Sequence, residues 1–305
     1  MLRYTIKRFA VALLVAVTVS LVTFSLLELS GDPAAAMAGE SATAEDIAFV
    51  REMYGFDRPF LVRYADWASR AVTGDLGYSY YLRTDVSGII LSHLPVTMTL
   101  GACALGFALV LAIPLGVLAA TRPNSMIDRL ALTLAVVGQA LPSFWFALIL
   151  ILWLGVRWQL LPITGTESWL NFIMPAVTLG YYVTPAIMRL TRAGMLEVMS
   201  SDFIRTAHAK GLRPPVVLFK HALRNAIIPV VSLSAVQFGF MLGGSIVIET
   251  IFAIDGLGHL AWASITRSDF QVMQGIVLVL ACFYILLTFL ADLLNAFLDP
   301  RIRIT

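Results

Sequence analysis

Charge is scarce in this chain. Asp, Glu, Lys and Arg make up 13% of its 305 residues, about half of the ~25% usual in soluble domains. Such a surface cannot be held in water, which excludes a cytosolic enzyme and a disordered protein. The formal net charge is only +2, so there is no basic footprint for nucleic acid. Cysteine is almost absent: Cys103 and Cys282 both fall in apolar runs and read as small core hydrophobes, not a disulfide framework. The four histidines, His93, His208, His221 and His259, are dispersed, and no zinc-type spacing links them. No G-x-x-x-x-G-K-[ST] loop occurs, so the chain carries no P-loop site for ATP. No G-x-S-x-G elbow occurs either. Ser245, beside Gly243 and Gly244, has no span-embedded histidine to pair with and reads as a small packing residue.

What the chain has is long uncharged intervals. There are 19 residues between Arg8 and Glu28, 36 between Asp85 and Arg122, and 27 between Arg129 and Arg157. A further 21 separate Glu167 from Arg189, 24 separate Arg224 from Glu249, and 22 separate Asp269 from Asp292. About 18–20 apolar residues cross a bilayer as a helix. The expected spans are 9–29, 96–119, 130–156, 172–190, 227–252 and 272–294. Helices are expected because lipid leaves open backbone groups unsatisfied. Fourteen of the 21 Lys and Arg fall on one side if the N-terminus is cytoplasmic, which predicts both termini inside. The first interval exceeds the 7–15 residues of a signal-peptide core and reads as an uncleaved span. Glu28, Glu249 and Asp292 sit near span ends, not at mid-depth, which argues against an ATP-independent, ion-coupled secondary carrier.

Segment 30–94 is expected outside. Thr43 and Asp46 form a capping-box pattern opening a helix with Ile47, Val50 and Tyr54 on one face and Gly55 as its stop. Pro59 opens a second, with Phe60, Tyr64, Trp67 and Ala71, ended by Gly74.

The most informative stretch is the cytoplasmic loop Arg189–Arg224, with seven basic and two acidic residues. Ser200 or Ser201 caps a short helix in which Phe203, Ile204, Ala207 and Gly211 approximate an apolar face. Gly211 permits a tight exit, and Pro214-Pro215 forbids helical continuation. A second short helical pattern, Val216 to Arg224, leads into the fifth span. An exposed short helix between fixed turns suits docking into a partner's groove; the bland alternative is a basic loop lying at the lipid headgroups.

Here the chain resembles the permeases of bacterial ABC importers. Arg205, Thr206 and Ala207 stand at the E-A-A positions of that family's loop signature, followed by Gly211 and then His221, Leu223 and Arg224. R-T-A-x-A-K-G-L and H-A-L-R-N at this spacing are similar to the peptide/nickel branch. Gly31-Asp32-Pro33-Ala34, Gly74-Asp75-Leu76-Gly77-Tyr78-Ser79, Ile248-Glu249-Thr250-Ile251-Phe252, Gly256-Leu257-Gly258 and the closing Leu298-Asp299-Pro300-Arg301 resemble the "B" permease of dipeptide and oligopeptide importers. Asp255, and Ser30 before Gly-Asp-Pro, stand where many members have Pro.

The resemblance implies an all-α integral membrane protein of six transmembrane helices. Its fold is that of type I ABC importer permeases, with an extra N-terminal span (1–29), an external helical segment (30–94), a five-span core (95–298) and a cytoplasmic tail (299–305). It implies a bacterial inner-membrane subunit that is not itself an enzyme. Its partners would be a second homologous permease, two cytoplasmic ATPases and an external substrate-binding protein. The chain itself holds no cofactor; ATP and Mg belong to the ATPases. The loop 189–226 would couple to them through Phe203, Ile204, Arg205, Thr206, Ala207, Lys210 and Gly211. A di- or oligopeptide is the expected cargo, with nickel chelate, glutathione or oligosaccharide as alternatives.

Among span residues, Gly239, Gly243 and Gly244 offer a small face for either a second permease or packing within this subunit. Gln139, Tyr181, Tyr182 and Gln237 are pathway candidates, but residues of this kind within spans more often bridge helices by hydrogen bonds than touch a substrate. Glu249 is placed at the outer mouth, either to attract a ligand's ammonium group or to pair with a loop arginine.

Overall fold

The computed structural model describes residues 2–298 apart from Gly31, Glu40, Ser41, Tyr54 and Tyr80. Gly31 of the Gly-Asp-Pro motif, Tyr54 of the first external helix and the tail 299–305 therefore lie outside the described residues. Every long uncharged interval is helical. α1 runs Leu2–Ser30, α5 Val86–Thr121, α8 Ile173–Met199, α11 Ile228–Ile251 and α13 Phe270–Leu298; between α1 and α5 lie α2 (Pro33–Ala38), α3 (Ala44–Met53) and α4 (Phe60–Val72). Among the described residues, five helices are long and apolar enough to cross a membrane.

The third expected span differs. It is two helices, α6 (Met126–Ala140) and α7 (Ser143–Leu150), the latter continuing as a π-helical stretch Ile151–Arg157. They meet at a 98° bend, and counting the pair as one span gives six. The cause is Pro142: it forces Leu141 into extended backbone, φ −79° and ψ 129°, and donates no N–H. α5 begins at Val86, so its first turns precede the expected span and fall in the segment expected outside. One other expectation is corrected here. α8 runs to Met199, so the last turns of that helix, from Arg189 on, are not loop. Hydrophobic length sets where a span must exist, whereas helical hydrogen bonding continues past it into water.

The centre is the α5–α8 pair. Ala104, Ala108, Ala112 and Gly116 recur every fourth residue on α5 and are buried. A Cβ on Gly180 of α8 would lie 2.5 Å from the Ala104 carbonyl oxygen, and one on Gly116 would lie 2.7 Å from that of Met188. Small residues bring the backbones together where lipid gives no hydrophobic drive. Around this seam pack Leu100, Leu179, Val183, Ile187, Met241 and Ile248.

α1 leans on α13 through Arg8 Nη1 and Asp292 Oδ2, 2.8 Å apart, and the edge-to-face rings of Phe9 and Phe289. Farther along α1, Phe24 meets the rings of Phe60, Tyr64 and Trp67 on α4, and Ser20 Oγ lies 2.7 Å from the Tyr64 hydroxyl. The expected apolar face of α4 thus covers the far end of α1. The capping box is present: the Asp46 N–H donates to Thr43 Oγ1 at 3.3 Å, and the Thr43 N–H to Asp46 Oδ2 at 2.9 Å. A short hairpin, β1 (Tyr78–Ser79) and β2 (Thr84–Asp85), follows α4.

Cys103 is half-buried on α5, whereas Cys282 is exposed on α13, so the core role expected for Cys282 is corrected: it sits on the outside of the bundle.

Candidate functional site

One end of the bundle carries α9 (Asp202–Ala209), followed by a π-helical stretch Val216–Leu223 and α10 (Arg224–Ala226). Gly211 ends α9 with φ +72°, a left-handed conformation that glycine adopts without cost. Its N–H donates to the His208 carbonyl at 2.9 Å, and that of Leu212 to the Ala207 carbonyl at 3.4 Å, closing a Schellman motif.

The rod's two faces divide the expected coupling residues. Ile204 and Ala207 are buried against Val117 and Ala120 of α5, Met195 of α8, and Val217, Ala222 and Ala226. They mount the rod and cannot touch a partner. Phe203 (45% exposed), Arg205, Thr206, Lys210 and Gly211 face outward. Phe203 and Gly211 therefore do not share a face with Ile204 and Ala207, because a period of 3.6 residues puts 203 and 204 about 100° apart.

Just inside this end, Asp128 is buried and takes Arg192 Nε and Nη2 at 2.6 and 2.8 Å. The Asn124 N–H also donates to Asp128, at 2.9 Å. This bidentate pair locks the start of α6 to α8. Sequence reasoning missed it, since Arg192 counted only as loop charge.

The pathway candidates gather around the α6–α7 break. The Tyr181 hydroxyl donates to the Leu141 carbonyl at 2.7 Å, and its ring lies 4.6 Å from that of Phe146. Gln139 Oε1 accepts from both terminal nitrogens of Arg189, at 3.3 and 3.4 Å. Tyr182 is exposed and stacks on Phe240 of α11, 6.3 Å between centroids. Gln237 is half-buried on α11, three residues before Phe240.

Of the glycine face, Gly239 packs within the subunit, because a Cβ there would come within 2.3 Å of the Tyr284 ring on α13. Gly243 and Gly244 have nothing within 4 Å of such a Cβ and lie open on α11.

Glu249 is corrected most. It is completely buried, not at an open mouth. Its carboxylate accepts from the Thr97 hydroxyl at 2.8 Å and from the backbone N–H groups of Gly258 and His259 at 2.7 and 3.1 Å. Those amides open α12 (Leu257–Thr266), a helix not expected between the last two spans, and Glu249 is its cap. Gly256 and Gly258 are required by it: a Cβ on Gly256 would lie 2.5 Å from Glu249 Oε2, and one on Gly258 would lie 2.7 Å from Ile246 Cα. Beside it Asp255 sits 3.2 Å from His93 Nε2 and 3.6 Å from His259 Nδ1. Ser245 is buried and donates to the Leu242 carbonyl. Among the described residues no cluster of three His, Cys, Asp or Glu side chains suits a metal ion.

Two other motifs also build local structure. Asp32 caps α2 by accepting from the Ala34 N–H at 3.0 Å, with Pro33 as first helical residue. In Gly74–Ser79, Gly74 and Gly77 adopt positive φ, the Tyr78 N–H donates to Gln271 Oε1 at 2.8 Å, and Ser79 Oγ donates to Asp269 Oδ2. The hairpin is stitched to the start of α13.

Comparison with known proteins agrees with this architecture. Residues 112–304 match the family described as binding-protein-dependent transport system inner membrane component, and residues 1–101 match its N-terminal companion. A glutathione transport system permease protein, GsiC, of Escherichia coli (strain K12) is 39% identical over 304 residues, covering 99% of both chains. The protein of that name from Shigella boydii serotype 4 is 38% identical over the same share. In fold, a chain of the inward-facing MetNI methionine ABC transporter superposes with a TM-score of 0.57 at 20% identity, over 69% of this chain and 96% of that one. A chain of an amino acid ABC transporter gives 0.50 at 17%, over 70% and 94%. A multi-pass helical bundle, a glycine-ended rod at one end and full-length similarity at this level together place the chain in the binding-protein-dependent transport system inner membrane component family, as a permease subunit of an ABC importer.

Proposed function

We propose that this subunit forms half of the translocation pathway for short peptides, glutathione among them, and that α9 is the handle gripped by a cytoplasmic ATPase. The α9 end and both chain termini then face the cytoplasm, and α2–α4 face outside, where a substrate-binding protein delivers cargo. A second homologous permease supplies the other half of the path, and two ATPases supply ATP and Mg.

The carrying observation is the mounting of the rod. Ile204 and Ala207 seat it on the ends of α5 and α8 and on the entry to α11, while Phe203, Arg205, Thr206 and Lys210 are exposed on the outside. Force on the exposed face therefore reaches three spanning helices at once. A difference in grip between two nucleotide states is enough to bias an inward-open/outward-open equilibrium. The importer relatives named for glutathione transport support a small peptide-like cargo.

Two variants at Gly211 test the coupling. A Cβ at this position meets nothing in the chain, but φ is +72°. Gly211→Val strains the exit, whereas Gly211→Asn tolerates it. In the reconstituted complex, Val should reduce cargo-stimulated ATPase turnover at least about tenfold, a loss of ~1.4 kcal/mol, and Asn should retain most of it. Equal stimulation in both variants would remove α9 from the mechanism. Uptake of labelled glutathione against a panel of di- to pentapeptides assigns the cargo.

A further inference from the structure

The break at Leu141–Pro142 has a charge beside it. Arg189 lies on α8 ten residues before that helix ends at Met199, about 15 Å along the axis. An arginine near a span end ordinarily snorkels toward the nearer headgroups. Arg189 does the reverse: its guanidinium reaches back to Gln139, two residues before the break. Tyr181, eight residues earlier on α8, binds the same break at the Leu141 carbonyl.

The neighbouring arginine shows the contrast. Arg192, one turn on, is neutralised by Asp128. Arg189 is exposed, and among the described residues it forms no ion pair. A cation turned toward lipid is costly, up to roughly 2.5–3.5 kcal/mol at the centre of a span on insertion scales. Irregular backbone at membrane depth persists only where protein buries it or where it lines a watery cavity. Both features therefore turn the same face of α8 away from lipid, with the exposed ring of Tyr182 two turns along that face.

We propose that Arg189, fastened by Gln139 beside the α6–α7 break and walled by Tyr182, is a carboxylate-binding station on the translocation path. The cargo it fits carries a free carboxylate, and the guanidinium takes that group by charge-assisted hydrogen bonds. This rests on the importer reading above and adds the chemical feature being read.

The test uses the whole transporter, with both permeases, the ATPases and the binding protein, in liposomes. Uptake of a short peptide with a free C-terminal carboxylate is compared with uptake of its C-terminal amide. Each rate is expressed relative to wild type, so that differences in delivery by the binding protein cancel. Arg189→Gln should lower uptake of the carboxylate form about tenfold and change the amide less than twofold; Arg189→Lys should recover part of the loss. Gln139→Leu, which only unfastens the guanidinium, should show a smaller selective loss and stands in should Arg189→Gln fail to assemble. An equal fall for both cargoes overturns the proposal, as does loss of the second permease from purified Arg189→Lys and Gln139→Leu complexes, which would make Arg189 a subunit contact. If wild type imports neither cargo with ATP present, the importer reading fails and takes this one with it.

Discussion

At the scale of single residues, Glu249 shows how a charge near a membrane can be structural. Its carboxylate closes the corner between α11 and α12, and Thr97 completes the knot by accepting the Leu257 N–H at 2.7 Å. Thr97→Val would leave that N–H without an acceptor and remove one hydrogen bond from the buried carboxylate, at about 1–3 kcal/mol for a buried group left unpaired. Thermal unfolding in detergent should show the loss, with Thr97→Ser close to wild type. An unaltered midpoint in Thr97→Val would show that water replaces the hydroxyl. Glu249 was legible in sequence as a special residue near a span end. Its role was not, because the groups it binds come from Thr97 and Gly258, far apart along the chain.

Among the elements, the α5–α8 seam is the part most dependent on small residues. Gly180→Val would press two methyl groups against the Ala104 carbonyl. The expected cost is about 3 kcal/mol or more, at the upper end for overpacking, read as reduced folded yield and a lower unfolding temperature. The repeat of Ala104, Ala108, Ala112 and Gly116 was visible in the sequence. Only Gly239-x-x-x-Gly243 drew attention there, and Gly239 proves to pack against Tyr284. Spans were legible because burying about 20 uncharged residues is an unavoidable demand of the bilayer. The Leu141–Pro142 break was not, since a proline inside a span is often tolerated where neighbours satisfy the freed groups. The capping box gives an element-scale pH effect. Hydrogen bonds from Thr43 hold the Asp46 carboxyl below its ordinary value, so its contribution to α3 is present above the ordinary carboxylate range. It is lost as pH falls through the depressed value. Amide exchange in α3 should quicken at acid pH, relative to α4, and should already be fast in Thr43→Ala.

For the molecule as a whole, orientation is the property to measure. With the α9 end inside, a single cysteine introduced for Val72, which is 89% exposed at the end of α4, should react in intact cells with a membrane-impermeant thiol reagent. One introduced for Lys210 should react only after permeabilisation, both in a background lacking Cys103 and Cys282. The opposite pattern would invert the topology and remove the ATPase from α9. The lever itself was readable from Gly211 and Pro214-Pro215, since backbone constraints are local. The sorting of its residues into mounted and free faces needed the partners on α5 and α8.

One consequence follows from the glycine-lined seam. Two helices whose backbones already touch at Gly116 and Gly180 have no slack to slide or separate, so α5 and α8 must move as a single girder. Whatever opens the passage has to flex at a joint outside that girder, and the kink before Ser143 is the nearest place where the chain has given up its rigidity.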